Sequence, residues 1–204
     1  MWYVTDYLVP SMRDQGIDPL VVCDTGAGNL ETCMKIFMNM NHLGGTWHLQ
    51  DDIIICKDFA ERTRALVESK PDVVICGFVV RGDGNAKYVG YVKPVEKWWS
   101  FPCIYIPNKL ACECAEWFYH EGAKKHPART QARKYDDYFF KKFLKICYPD
   151  YPVLNLKPNL VDHIDYLIGD SVINRGRQSK DVRALWFDDQ DLVNELEAKL
   201  KRNT

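Results

Sequence analysis

The sequence predicts an α/β domain built on a mixed, mainly parallel sheet flanked by helices, and three observations lead there. Short apolar runs, PLVVCD at 19–24, TWHLQ at 46–50 and DVVICGFVV at 72–80, alternate with stretches of helical apolar spacing. Each run stops in turn or polar chemistry: TGAGN after the first, an acidic pair after the second, Arg-Gly-Asp-Gly-Asn after the third. The composition, 47% hydrophobic and 27% charged, is that of a folded globular chain, which excludes disordered, collagen-like and disulfide-miniprotein classes.

Taken in order, the first fifteen residues predict a helix with Tyr3, Tyr7, Leu8 and Met12 as its apolar positions and a kink at Pro10. The run at 19–24 predicts a buried parallel strand, because strands covered on both faces are continuously apolar. A helix from Leu30 to about Met40 leads to the TWHLQ strand, which stops at Asp51-Asp52. KDFAERTRALVESK predicts the next helix and DVVICGFVV the third strand, joined by right-handed crossovers. Beyond residue 85, YVGYV is a returning hairpin strand and PCIYIP a further strand, with Asn108 capping a helix to about Gly122. A basic loop, a helix from about Asp136 to Cys147, PVLNL, an irregular PNLVDHID segment and an amphipathic helix from about Gln190 to Arg202 complete a single domain over 1–204.

A formal net charge of -1 gives no global attraction to nucleic acid or membrane, so such a partner needs a local patch. No window approaches eighteen consecutive apolar residues and the N-terminus has no secretory pattern, so the expectation is a cytoplasmic protein without a membrane span. The eight cysteines sit mostly inside apolar runs and read as reduced core residues. Cys112 and Cys114, two apart on a helix, face different ways, which disfavours a zinc site with His120 and His126.

Ligands of open α/β sheets bind at the carboxyl ends of the strands. Asp24, the pair Asp51-Asp52 and the turn from Arg81 to Asn85 fall there. Two adjacent carboxylates at the end of a buried strand are costly unless a cation or donors compensate them, and hard oxygen ligands suit Mg or Mn beside substrate phosphates.

HLQDDIIICKDF resembles the signature of glycosyltransferases with the GT-A fold, in which an acidic motif ending a strand binds a metal and the diphosphate of a nucleotide sugar. YIPNKLACECAEWF, KYDDYFFKKFL and PNLVDHIDYLIGDSVIN follow in the order of small bacterial and phage-type members, so the resemblance spans about 19–175. It implies a GT-A-like fold with a nucleotide-sugar (donor) half at 1–93 and an acceptor half at 94–204. It also implies a Mn or Mg cation and a nucleotide sugar, a UDP-sugar being favoured, as co-substrate. Gln50-Asp51-Asp52 stands at the Asp-any-Asp motif, with Asp52 the leading metal ligand, Asp51 an auxiliary one, and neutral Gln50 a departure that weakens the site. Asp24 matches an acid that contacts the nucleotide base, and His163 a late histidine on the metal or diphosphate. Asp136 or Asp137 matches the base that deprotonates the acceptor hydroxyl, with Arg81 or Lys109 as possible diphosphate partners. The family opens with a strand where this chain opens with a helix.

For the acceptor, Lys124, Lys125, Arg129, Arg133, Lys134, Lys141 and Lys142 lie among Tyr135, Tyr138, Phe139 and Phe140, a pattern suited to phosphate contacts with base stacking. The expectation is a modified base in phage-type DNA. The alternatives are a saccharide or lipid-linked acceptor, with Trp98, Trp99 and Trp117 as platforms, or a nucleic-acid-binding module without catalysis.

Overall fold

In the computed structural model the described residues are 3–23, 28–41, 43–81, 85–94, 101–122, 136–164, 167 and 183–202. The chain enters through a π-helical turn, Val4–Leu8, continued by α1 (Val9–Asp14). The turn is how Pro10 is accommodated: the Val9 N–H reaches back to the Val4 carbonyl, and Pro10, which has no N–H to give, stands in the first turn of α1. The other α-helices and strands described are α2 (Asn29–Met38), β1 (Gly45–Leu49), β2 (Ile53–Ile55), α3 (Phe59–Ser69), β3 (Val74–Cys76), β4 (Gly90–Val92), β5 (Cys103–Pro107), α4 (Asn108–Trp117), α5 (Asp136–Cys147), β6 (Val153–Asn155), β7 (Val161–His163) and α6 (Gln190–Arg202), with a 3-10 turn at Asn85–Tyr88 and a π-helical continuation of α4 at Phe118–Gly122.

Five strands form one sheet in the order β1-β5-β3-β6-β4, and β2 pairs with β7 in a second, two-stranded sheet. The expected mainly parallel sheet is corrected here: among the described residues only β3 and β6 run parallel, and the other pairs are antiparallel. The reason is the placement of β5, which enters between β1 and β3 from the opposite end and so runs against both. Parallel neighbours need a crossover that carries the chain back to the same end, and the sequence does not reveal which strand slots between which.

Four local expectations also change. Residues 17–23 form no strand, and Leu20 is 87% exposed with Val21 and Val22 exposed beside it, since an apolar run becomes a strand only where a ladder partner meets it. PNLVDHID is not irregular, because its centre is β7, paired antiparallel with the Ile53–Ile55 run. Asn108 is the first residue of α4 rather than its cap, and its side chain instead accepts from Thr46 Oγ1 (2.7 Å) and donates to the Leu43 carbonyl (2.9 Å). YVGYV supplies β4, whose partner is the distant β6 and not a hairpin neighbour.

The side chains divide into two cores. On one face of the large sheet, α2, α4 and α5 pack Met34, Phe37, Ala111, Cys114, Phe140 and Leu144 against Val74, Ile104 and Val153. The other core gathers Tyr3, Leu8 and Met12 from the N-terminal helix, Phe59 of α3 and Val193 and Leu196 of α6 around β2 and β7. Between β1 and β5 the Tyr105 ring lies over Gly45, where a Cβ would come within 2.2 Å of the Tyr105 hydroxyl. That hydroxyl donates to the Pro71 carbonyl at 3.0 Å.

Candidate metal and acceptor site

The register fixes which ends of the strands lie together. Leu49 pairs with Cys103, Cys76 with Ile104 and Asn155 with Cys76, so the carboxyl ends of β1, β3 and β6 fall at one end of the sheet. Gln50 continues β1 by donating its N–H to the Pro102 carbonyl at 3.1 Å, and Asp51-Asp52 follow at once. The small sheet stands at this same end, since the Cys56 N–H bonds the Leu160 carbonyl and the Leu160 N–H bonds the Gly77 carbonyl.

The pairing of β2 with β7 brings His163 opposite Ile53, one residue beyond Asp52, and the Ile164 N–H donates to the Asp52 carbonyl at 2.9 Å. His163 Nε2 lies 3.1 Å from Asp52 Oδ2, across a sequence gap that no local motif bridges. The other Asp52 oxygen, Oδ1, is buried with no hydrogen-bond partner. Tyr3 closes the inner side, donating to the Ile53 carbonyl at 2.7 Å, and burial, then Tyr7 and Asp52, drive its phenol well above the usual range, so the hydroxyl stays protonated. Asp51 keeps surface in solvent, yet burial first and the Asp52 charge second hold its carboxyl above the ordinary value.

Whether these residues fit a cation can be tested on geometry. Two adjacent ligands at about 2.1 Å from an octahedral ion sit about 3 Å apart, which is the spacing of Nε2 and Oδ2 here. The orphaned Oδ1 supplies a second oxygen in the same place, and a buried carboxylate oxygen without a donor is costly unless something binds it. Neighbouring Asp162 is the contrasting case. It is 1% exposed, and its oxygens accept from Arg183 Nε (2.7 Å) and Nη2, from the Ala184 N–H (2.7 Å) and from the His163 N–H (2.9 Å). With its lone pairs taken, Asp162 ties the 183–187 segment to β7 and offers nothing to a ligand. Sequence reasoning missed that ion pair, because Arg183 lies twenty-one residues away with no periodic relation to Asp162.

Cys56, Asp58 and Asp189 also converge closely enough for an ion. Their charges are already met: the Lys57 N–H donates to Asp189 Oδ2 at 2.9 Å, Lys57 Nζ reaches Asp191 at 2.5 Å, and Arg62 Nη1 lies 3.7 Å from both Asp58 Oδ1 and Cys56 Sγ. Burial and the Asp58 hydrogen bond push the Cys56 thiol up to about 12, so a thiolate ligand is disfavoured there. This cluster fastens α6 to the start of α3.

Asp136 and Asp137 open α5. Phe140, one turn on, packs against Phe37 of α2, with ring centroids 6.2 Å apart, and Phe37 in turn packs on His48 of β1 at 5.0 Å. Asp136, one turn before Phe140, adds to the rise that burial imposes on the thiol of Cys33, one turn before Phe37. Phe140 also packs on Phe101 at 5.8 Å, beside the Pro102 carbonyl that Gln50 bonds, so the first turns of α5 lie at the end of the sheet where the acidic pair stands. Burial first, then the Asp137 charge, raise the Asp136 carboxyl to about 6. Asp137 is also raised by burial, against the opposing effects of the Tyr138 N–H and Lys141.

Thus Gln50, Asp51, Asp52 and His163 are brought together, and Asp136 and Asp137 lie on the helix-covered side of the same end. Arg81 is exposed, and its N–H donates to the Arg183 carbonyl at 2.6 Å; Lys109 is exposed at the start of α4, at the opposite end of the sheet. Asp24 and the basic residues Lys124, Lys125, Arg129, Arg133 and Lys134 lie outside the described residues, as do Trp98, Trp99 and Tyr135. The expected stacking aromatics are corrected in part: Phe139 and Phe140 are core residues, and Trp117 packs on Phe139 and Phe143, because an amphipathic helix turns its apolar stripe inward. All eight cysteines are thiols outside any disulfide, and Cys112 Sγ donates to the Phe37 carbonyl at 3.3 Å. Among the described residues no helix is long and apolar enough to cross a membrane. No protein-family description, curated protein or solved structure matches this chain.

Proposed function

We propose that this chain is a divalent-cation-dependent glycosyltransferase that moves a sugar from a nucleotide sugar to an acceptor hydroxyl. The observation that carries the reading is the convergence of Asp52 and His163 at 3.1 Å at the carboxyl end of β1, with Asp52 Oδ1 buried and unpartnered. Asp52 and His163 hold the cation, with Asp51 as the outer carboxylate. A Mn or Mg ion bound there supplies Lewis-acid neutralisation of charge on the departing nucleoside diphosphate.

Asp136 is the base in this reading. A carboxyl raised to about 6 is ionised at neutral pH yet basic enough to take a proton from a positioned hydroxyl. Asp136 Oδ1 accepts from the Asp137 N–H at 2.9 Å, which fixes one oxygen and leaves the carboxylate oriented. Lys141 sits nearer Asp137 in charge, so Asp137 is the supporting acid.

Titration of the protein with Mn, followed by electron paramagnetic resonance, tests the metal site without reference to turnover. The expected result is one bound ion per chain, lost at least tenfold in affinity in Asp52→Asn and His163→Ala. Release of nucleoside diphosphate from a panel of nucleotide sugars should then require Mn or Mg and stop with chelator. Unchanged Mn affinity in both variants would remove the metal reading, and metal-independent binding of DNA with no donor cleavage would leave the non-catalytic module. The DNA-base acceptor rests on the basic segment; Arg133→Glu with Lys134→Glu should raise KM for DNA in a salt-dependent way and leave a saccharide acceptor unaffected.

A further inference from the structure

From the carboxyl end of β6 we propose that Asn155, with Asp137 and Lys141, forms an acceptor subsite that hydrogen-bonds a hydroxyl of a neutral saccharide. The acceptor role rests on the glycosyltransferase reading; the subsite itself rests on separate residues. Asn155 is 2% exposed, and its Nδ2 donates to the Tyr88 carbonyl at 2.7 Å, which fixes the orientation of the amide. The carbonyl oxygen Oδ1 is thereby aimed the other way, and it is buried without a hydrogen-bond partner.

Two facts place that oxygen on the side of the proposed base. Asn155 and Val153 lie two apart on β6 and share a face, and Val153 belongs to the core under α5. Cys76, the register partner of Asn155, belongs to the same core, and the Lys141 ammonium of α5 opposes the rise that burial gives its thiol. One turn back along α5, Asp137 feels the same ammonium. The buried amide oxygen at the end of β6 and the first turns of α5, which carry Asp137 and Lys141, therefore lie on one side of the sheet.

A buried acceptor oxygen of this kind is costly unless a donor arrives, and a ligand hydroxyl is such a donor. The formal charge of the group argues for the ligand class. Asp136 and Asp137 carry two negative charges when ionised against one on Lys141, a balance that repels a phosphodiester and accepts an uncharged polyol. A saccharide presents several hydroxyls in fixed geometry, so one can meet Asn155 Oδ1 while its neighbour meets the carboxylates.

The test is a titration of the full-length, isotope-labelled protein with methyl β-glucoside and, separately, with a short single-stranded DNA oligonucleotide. The probe is the Asn155 side-chain amide resonance. The glucoside should shift that resonance saturably, and Asn155→Leu should weaken glucoside binding at least fivefold, read by ligand-observed saturation transfer. If Asn155→Leu fails to fold, the wild-type resonance still decides. No shift with glucoside, or a shift with the oligonucleotide alone, overturns the proposal. A protein that binds Mn but shows no glucoside shift loses the subsite and keeps the metal reading; a glucoside shift without Mn binding supports the subsite and removes the metal reading.

Discussion

The two cores answer different problems. Under α2, α4 and α5 the interior is built of Phe37, Met34, Phe140, Phe143 and Leu144, and its buried polar groups sit at the edges, at Asn108 and Asn155. Around β2 and β7 the interior is apolar except for a polar seam, Asp162, His163 and Asn159, held by Arg183 and the backbone of 184–186. The first core is specified by volume, the second by charge placement. The candidate cation ligands sit where the second core meets the sheet, which is where a low-dielectric wall strengthens any charge interaction.

That contrast can be broken by substitution, and the largest effect is expected from volume. Phe37→Ala, at a fully buried ring that touches His48 and Phe140, should cost about 3–5 kcal/mol in chemical denaturation. Nearly as large is Arg183→Met, which leaves the Asp162 carboxylate buried without its cation; a loss of about 3 kcal/mol is expected. A loss under about 1 kcal/mol there would show that the polar seam is not what holds the second core.

Two titrating groups bracket the first core and act with opposite sign. Burial lowers His48 to about 4, so the unfolded chain takes a proton the folded chain refuses, and stability falls as pH drops from about 6.5 toward about 4. Asp136 is raised to about 6, so the folded chain keeps a proton the unfolded chain releases, and stability falls as pH rises from about 4 to about 6. Over the shared window the slopes oppose each other. His48→Leu should therefore gain on the order of 2 kcal/mol at pH 5 relative to pH 8, read as Tm. Asp136→Asn should gain on the order of 3 kcal/mol at pH 8 and nothing near pH 4. If both variants track the wild type at every pH, neither group is desolvated as the structure has it.

Much of the element list was legible in the sequence. The helices at 59–69, 136–147 and 190–202 follow from 3.6-residue apolar spacing, a signal that one segment carries alone. The topology was not legible, because pairing is decided between segments: β5 displaces the expected parallel neighbours, and Leu20–Val22 joins no strand among the described residues. The acidic pair announced itself by standing at the end of an apolar strand. Its junction with His163 was expected only from resemblance, and it comes from β2 pairing with a segment read as irregular. Asn155 gave no signal, since an asparagine in PVLNL differs from a turn residue only once its face is known.

The Tyr105 ring over Gly45 has a consequence for the edge strand that carries Gln50-Asp51-Asp52. Edge strands are held by one neighbour and are prone to slide, and a slide of one residue would turn Trp47 and His48 to the wrong faces. With Gly45 beneath the ring, a slide that puts Thr46 or Trp47 there brings a side chain into the space the tyrosine occupies. The glycine acts as a stop: it opposes a slide of β1 in one direction, and so limits how far the two carboxylates can be drawn toward the sheet. Alteration at position 45 would thus be felt first as a misplaced acidic pair, in a chain whose helices remain folded.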